Sequence, residues 1–434
     1  MCRFSLTFIL ALSVLTLGAC RAGVGMSFED TSVSEGQLAA SDAPASSDGI
    51  AARETVRPAI APATDASPSD LDAAMRRGIT FLVGYQNENG SWGSPTRTKS
   101  LNIYAPVPGG HDAFRGATTA LCIAALVDTA PEDPQVIAAL NRAEQWLLEE
   151  LPKVRRADGR AIYNNWAHAY GIQAAVRLLN WGEQTPERRE ALVALIENQI
   201  DRLARYEYLI GGWGYYDFNA QTQRPSGNST SFTTATVLIA LREAQQAGVA
   251  VPEDMVDRGI AALLRQRNPD NTYTYSSNFQ NYRGREINRP AGSLGRTQVA
   301  NVALRMWGED ELITEAMVVE WLDRLFARNG WLSIGRKRPV PHESWYAVAG
   351  YFYYYGHLYA GYLIGDLPPE LKPFYSDHMS QTLIALQEDD GSWWDYPLYD
   401  YHQPYGTAMA LIALQNCRND TLPVPAVADR NVDE

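Results

Sequence analysis

From Leu71 onward, apolar residues recur every three or four positions in segment after segment, and no stretch sustains the two-residue alternation of a half-buried strand. The pattern predicts an essentially all-α chain with two alternating kinds of helix. One kind is rich in Ala, Gly and Thr and carries little charge. Residues 119–126, 234–241, 297–304 and 407–414 align in this frame without a gap, and 168–175 and 357–364 fit it more loosely. The other kind is amphipathic, at 71–86, 134–151, 186–206, 252–266, 310–328 and 369–387, mostly starting after Pro or with an acidic first turn. A helix without a charged stripe is flanked by protein on both sides, whereas one carrying Arg, Glu and Asp faces solvent. The expectation is six inner and six outer helices, paired as hairpins.

The inner segments recur at intervals of roughly 50 to 65 residues, the signature of a repeat architecture. The first and last units share the strongest motif: FLVGYQNENGSWG at 81–93 matches LIALQEDDGSWWD at 383–395. End units of an open solenoid diverge as caps, so matching ends predict closure into a ring. QNENGSWG and QEDDGSWW resemble the QW repeats of squalene-hopene cyclases. The paired helices resemble the (α/α)6 toroid that those enzymes share with protein prenyltransferase β-subunits, over residues 70–417.

The segments outside this body read differently. Residues 1–19 hold one arginine and a short apolar run, too short to span a bilayer as a mature helix, and predict a secretion signal. The run ends Leu17-Gly18-Ala19-Cys20, which resembles a bacterial lipobox. That resemblance implies cleavage before Cys20, acylation of its sulfur and anchoring in the cell envelope, and Arg21 in the next position suggests the outer membrane. Residues 20–69 are rich in Ala, Ser, Pro, Asp and Thr without apolar period, a composition that predicts a disordered tether reaching roughly 40 Å. Residues 418–434 predict a short flexible tail. A disulfide between Cys122 and Cys417 is not expected, because the repeat frame offsets them by about 10 Å along parallel helices.

The net charge of −13 and pI near 5.0 exclude a nucleic-acid binder, which needs a basic face. A monomer is expected. In a closed ring with parallel inner helices, the amino ends and preceding loops converge on one mouth, where unpaired N–H groups make the local potential positive. His111, His168, His342, His357 and His402 fall in these loops or first turns. The run Asp389–Gln415 places Asp395 and Asp400 close to His402, so His402, Asp400, His357 and Asp395 are the candidate catalytic groups. A similar Asp/Tyr/His run precedes an inner helix in prenyltransferase β-subunits, where the histidine binds zinc. The Asp-x-Cys pair of that site has no counterpart here, so no metal is expected, and the cofactor stays open.

The cyclase acid motif Asp-x-Asp-Asp is also missing from residues 70–417. Aromatic residues crowd the same loops, and rings can stabilise carbocations or stack on isoprenoid chains and sugars. Trp213, Tyr216, Trp331, Tyr355, Trp394 and Tyr405 are the candidate aromatic contacts. Arg283 and Arg285 are the candidate anion contacts, since a guanidinium fork suits carboxylate or phosphate. The favoured reading is a membrane-anchored toroid that binds or processes an isoprenoid or similar elongated ligand in its central cavity. A uronate-lyase-type enzyme on glycans, or a surface docking lipoprotein without catalysis, are the alternatives.

Overall fold

The computed structural model describes residues 60, 67–98, 109, 111–155, 164–215, 229–340, 342–343 and 348–418. All belong to the unit Val56–Glu434. The predicted signal peptide with Cys20, the tether up to residue 66 except residue 60, Tyr216 and the tail beyond residue 418 lie outside the described residues.

Helices follow one another as α1 (Pro68–Gly84), α2 (Asp112–Thr129), α3 (Pro134–Glu150), α4 (Asn164–Leu179), α5 (Pro186–Tyr206), α6 (Ser231–Gln246), α7 (Glu253–Gln266), α8 (Pro290–Met306), α9 (Glu315–Ala327), the short α10 (Asn329–Ser333), α11 (Tyr353–Gly365), α12 (Lys372–Ile384) and α13 (His402–Asn416). A two-residue antiparallel pairing of 342–343 with 348–349 lies ahead of α11. Outer helices start where capping chemistry dictates. Ser67, Asp133, Thr185 and Thr314 each accept a first-turn N–H of α1, α3, α5 and α9 through the side chain. The Thr314 cap explains why α9 starts at Glu315 rather than at the expected 310.

The inner helices α2, α4, α6, α8, α11 and α13 each pack on the next, and α13 returns to α2. Six inner and six outer helices therefore close into the expected (α/α)6 toroid. Small residues set the spacing: a Cβ on Gly361 of α11 would stand 2.8 Å from Ala413 Cα of α13. Cys122 and Cys417 are both buried free thiols.

The turn leading from an outer helix toward the next inner one repeats with conserved geometry. In three copies, Trp92, Trp213 and Trp393 are fully buried. Each indole Nε1–H donates to the carbonyl of Leu82, Leu203 or Leu383 at 2.7–2.8 Å. Each backbone N–H donates to Thr119, Thr234 or Thr407 of the following inner helix. The glycine two positions before each tryptophan has φ near +87°, open to glycine at little cost, and a Cβ there would strike the carbonyl of Arg142, Arg258 or Arg77 on a neighbouring outer helix.

A fourth copy at 267–273 has Tyr273 in place of Trp and Asn271, φ 63°, in place of Gly. The last turn holds α1 as the first holds α3. Gln387 Nε2 donates to Ala74 O at 2.9 Å, and Gln86 Nε2 to Ala139 O at 2.8 Å. The ring therefore closes by repeating an interface it already uses.

Candidate functional site: the mouth of the ring

The axis inside the ring is packed with side chains. Tyr355 stands edge-on to Trp166 and Tyr359, with centroids 5.5 and 4.9 Å apart, and its hydroxyl donates to Phe232 O at 3.0 Å. Among the described residues, a void of about 10 Å³ is lined by Leu121, Tyr170, Gln173, Tyr359 and Tyr362 among others. That is space for about one water molecule.

At the far end of this axis lies an ion cluster that the sequence reading did not single out. Arg177 of α4 holds Asp128 of α2 through Nε (2.9 and 3.1 Å), Glu243 of α6 through Nη1 (2.9 Å) and the Tyr362 hydroxyl of α11 through Nη2 (2.8 Å). Burial pushes the Glu243 carboxyl up, and Arg177 opposes that. A signal existed: Asp128, Arg177 and Glu243 occupy the same place in the aligned helix frame, nine residues after Thr119, His168 and Thr234, on inner segments that carry little other charge.

The mouth end differs. Tyr215, Tyr275 and Tyr351, from three successive loops, bring their hydroxyls together: Tyr275 to Tyr351 is 2.9 Å, Tyr215 to Tyr351 is 3.3 Å, and Tyr215 also contacts Tyr275. Each ring is only partly buried. Beneath them Arg296, fully buried on α8, places its guanidinium 5.2 Å from the Tyr275 ring centroid and 5.8 Å from that of Phe352. Its hydrogen bonds go to carbonyls, of Tyr273 at 3.4 Å, of Gly292 at 3.5 Å and of Ile287, and among the described residues no carboxylate pairs with it. Burial brings its pKa down to about 10, with the tyrosines opposing, so it stays cationic at neutral pH.

The candidate residues divide among several surroundings. Asp395 is fully buried in the loop before α13. Its Oδ1 accepts from the Tyr405 hydroxyl (2.8 Å) and the Tyr396 N–H (2.7 Å), and its Oδ2 accepts from the Tyr354 N–H in the first turn of α11 (3.1 Å). Burial raises its pKa to about 6, against these donors. Asp395 thus joins α13 to the start of α11 and carries a carboxyl that can hold a proton near neutral pH. Tyr396 packs edge-on against Tyr351, centroids 6.0 Å apart, linking Asp395 to the tyrosine cluster.

Trp394, half-buried, stands edge-on to His402 with centroids 5.0 Å apart, and Lys337 Nζ lies 4.5 Å from its ring. His402 is buried, with Nδ1 2.6 Å from Tyr399 O. Asp400 lies at the seam, accepting from Tyr85 (2.5 Å) and Ser94 (2.9 Å) of the first hairpin. His357 bonds Tyr353 O through Nδ1 (2.7 Å) and Asn329 through Nε2 (2.8 Å), and burial lowers its pKa to about 4. In the aligned frame it takes the place of Thr119, Thr234 and Thr407, the residues that bond the turns, so it clamps α11 to α10. Trp331 is half-buried in α10.

Trp213 is the second turn tryptophan described above. Arg283 binds the carbonyls of Arg265, Arg267 and Gln280 and the Asn268 side chain, closing the carboxyl end of α7. Arg285 is exposed, 5.6 Å from the Tyr282 ring. Among the described residues, no group of three or more His, Cys, Asp or Glu is placed to hold a metal ion, and no helix is long and apolar enough to cross a membrane.

The profile of the squalene-hopene cyclase C-terminal domain matches residues 50–282, more than half of the chain. No curated protein matches the sequence. Among solved structures, cellobiose 2-epimerase from Spirochaeta thermophila is similar with a TM-score of 0.53 and 14% identity, covering 80% of this chain and 96% of its own. An inactive variant of an α-1,6-mannanase from Salegentibacter sp., in complex with α-1,6-mannotetrose, gives a TM-score of 0.50 and 8% identity, covering 80% and 99%. The type II terpene cyclase MstE from Scytonema gives 0.46 and 14%, covering 80% and 97%. At these identities the likeness is one of fold.

Proposed function

Because the chain belongs to the family of the squalene-hopene cyclase C-terminal domain, we propose that it is a lipid-anchored toroid of the bacterial cell envelope whose mouth binds an isoprenoid or similarly elongated ligand by an anionic group. The observation that carries this reading is Arg296. It is a buried cation that pairs with no carboxylate among the described residues, and it lies beside a cluster of three tyrosine hydroxyls at the mouth. In this reading the ligand's apolar part lies against half-buried rings such as Trp166 and Trp394, and the packing of Tyr355 against Trp166 and Tyr359 supports binding at the mouth. Cys20 would supply the anchor and keep the mouth near lipid. Asp395, with a pKa near 6, is the group best suited to deliver a proton there, and Tyr405 positions it.

Calorimetric titration of the purified protein with a polyprenyl phosphate and with the matching neutral polyprenol tests the reading. The phosphate should bind and the alcohol should not, and Arg296→Gln should weaken the phosphate by about 10- to 100-fold. Equal affinity for both, or no effect of the substitution, would exclude it. The closed axis also suits a second reading, a uronate-bearing glycan held by the same arginine and rings. Release of unsaturated, ultraviolet-absorbing products from polyuronates would establish that instead.

A further inference from the structure

The four equivalent turns differ at their tips. Where the first, last and fourth present Glu88-Asn89, Asp389-Asp390 and Pro269-Asp270, the turn before Trp213 presents Leu209-Ile210. Nothing in the turn geometry requires leucine and isoleucine, since the other three fold on polar or acidic tips. The two side chains are left 64% and 39% exposed. On the neighbouring hairpin Tyr282 is 60% exposed. The two places are contiguous: Arg265 donates to Ile210 O, Arg283 donates to Arg265 O at 2.6 Å, and Arg285 lies over the Tyr282 ring.

This apolar rim sits within a cationic sector of a chain whose formal charge is −13. Arg265, Arg285 and Arg289 are exposed, and none pairs with a carboxylate among the described residues. Arg289 instead donates to Gly284 O at 2.7 Å. Asp270 and Glu286 are the exposed acids nearest in sequence and are outnumbered. Exposed leucine, isoleucine and tyrosine beside exposed arginines match the boundary of a bilayer with anionic headgroups, where apolar side chains enter the acyl region and guanidinium groups meet phosphates.

We propose that Leu209, Ile210 and Tyr282, with Arg265, Arg285 and Arg289, form a surface that docks this sector of the ring onto an anionic phospholipid bilayer. This contact is distinct from any lipid carried on Cys20 and does not depend on what the mouth binds. Full-length protein carrying a photo-crosslinking phenylalanine derivative at position 209, 282 or 184 is to be irradiated with vesicles of phosphatidylethanolamine and phosphatidylglycerol. Gln184 is exposed on the turn before α5 and serves as the control.

Lipid adducts are expected at 209 and 282 and not at 184. Adduct yield should drop about fivefold for each of Arg265→Gln and Arg285→Gln, and in vesicles of neutral lipid alone it should fall further. Adducts missing from 209 and 282, or equally abundant at 184, overturn the proposal. Crosslinks from 209 to a second copy of the chain also overturn it, by assigning the rim to self-association.

Discussion

Each end of the ring axis holds an arginine, Arg177 largely and Arg296 fully withdrawn from solvent, and the two ends treat it in opposite ways. Arg177 at the far end is met by Asp128, Glu243 and Tyr362 from three other inner helices, so its charge is spent on holding those helices together. Arg296 at the mouth is met, among the described residues, by carbonyl dipoles and ring faces and by no carboxylate. Removing a cation from water costs several kcal/mol, and a paired carboxylate in good geometry recovers much of that cost. The far end recovers it within the chain. The mouth does so only in part, and the remainder is what an anionic ligand would supply. One fold thus carries a self-sufficient ion cluster as a fastener and a cation held ready under tyrosines as a candidate binding group.

The sharpest way to break this contrast is Arg177→Met. It takes the cation away from Asp128 and Glu243, both partly buried, leaving Glu243 only the Gln173 amide, and should cost about 3 kcal/mol in denaturant unfolding. Replacing Asp128, Arg177 and Glu243 together by apolar residues should restore most of the loss. A small effect of the single substitution would mean the cluster does not fasten the ring.

The next largest effect is expected from Asp395, the carboxyl linked to the mouth cluster. Its folded pKa of about 6 exceeds the unfolded 3.8, so the folded state binds the proton more tightly. Its contribution is therefore fully present below the unfolded value and is lost as pH rises through about 6. The stability of wild type relative to Asp395→Asn should fall by about 2 kcal/mol from pH ~4 to pH ~7. His357, lowered to about 4, acts in the opposite sense. Its contribution is present above the ordinary histidine value and is lost as pH falls through about 4, so the difference between the two proteins, which both contain it, isolates Asp395. A flat difference across that range would place the Asp395 pKa near its ordinary value.

Ring closure keeps the two ends in register, and Gly391 tests it. Gly391→Ala puts a methyl group 2.6 Å from the Arg77 carbonyl at a φ of +87° and should cost about 1–3 kcal/mol. Gly211→Ala, at an interior copy of the same turn, should cost as much. A much smaller cost at Gly391 would show that the seam is looser than the interior joints.

The smallest effect on stability is expected for Arg296→Met. It removes a cation that no carboxylate among the described residues neutralises and should change unfolding by less than about 2 kcal/mol, while anion binding is lost. A loss as large as that for Arg177→Met would erase the distinction between the two ends.

Much of this architecture is legible in the sequence because it is written in local repeats. The inner segments share one small-residue frame, and the end turns share Gly-Ser-Trp. The turns at Trp213 and Tyr273 were missed because their surroundings vary: Gly212 replaces Ser before Trp213, and Tyr273 replaces Trp with Asn271 at the positive-φ position. The backbone geometry survives because Gly and Asn both tolerate that conformation. The site was less legible. His402, Asp395, Tyr405 and Trp394 lie in one loop and the first turn of α13, and neighbourhood in sequence became neighbourhood in space. The tyrosine cluster joins three loops that share no motif, and its arginine lies on an inner helix that reads as ordinary core. Histidine type alone pointed to His357, whereas its place in the frame, shared with three threonines, marks it as a clamp.

The central claim is that Arg296 is an unneutralised cation able to bind an anion at the mouth. Calorimetric titration of inorganic pyrophosphate into wild type and into folded Arg296→Gln, at one low salt concentration, tests it most directly. The account predicts saturable binding to wild type that weakens at least about tenfold in the variant and falls with added salt. Binding of equal strength to both proteins, or none to either, would contradict it.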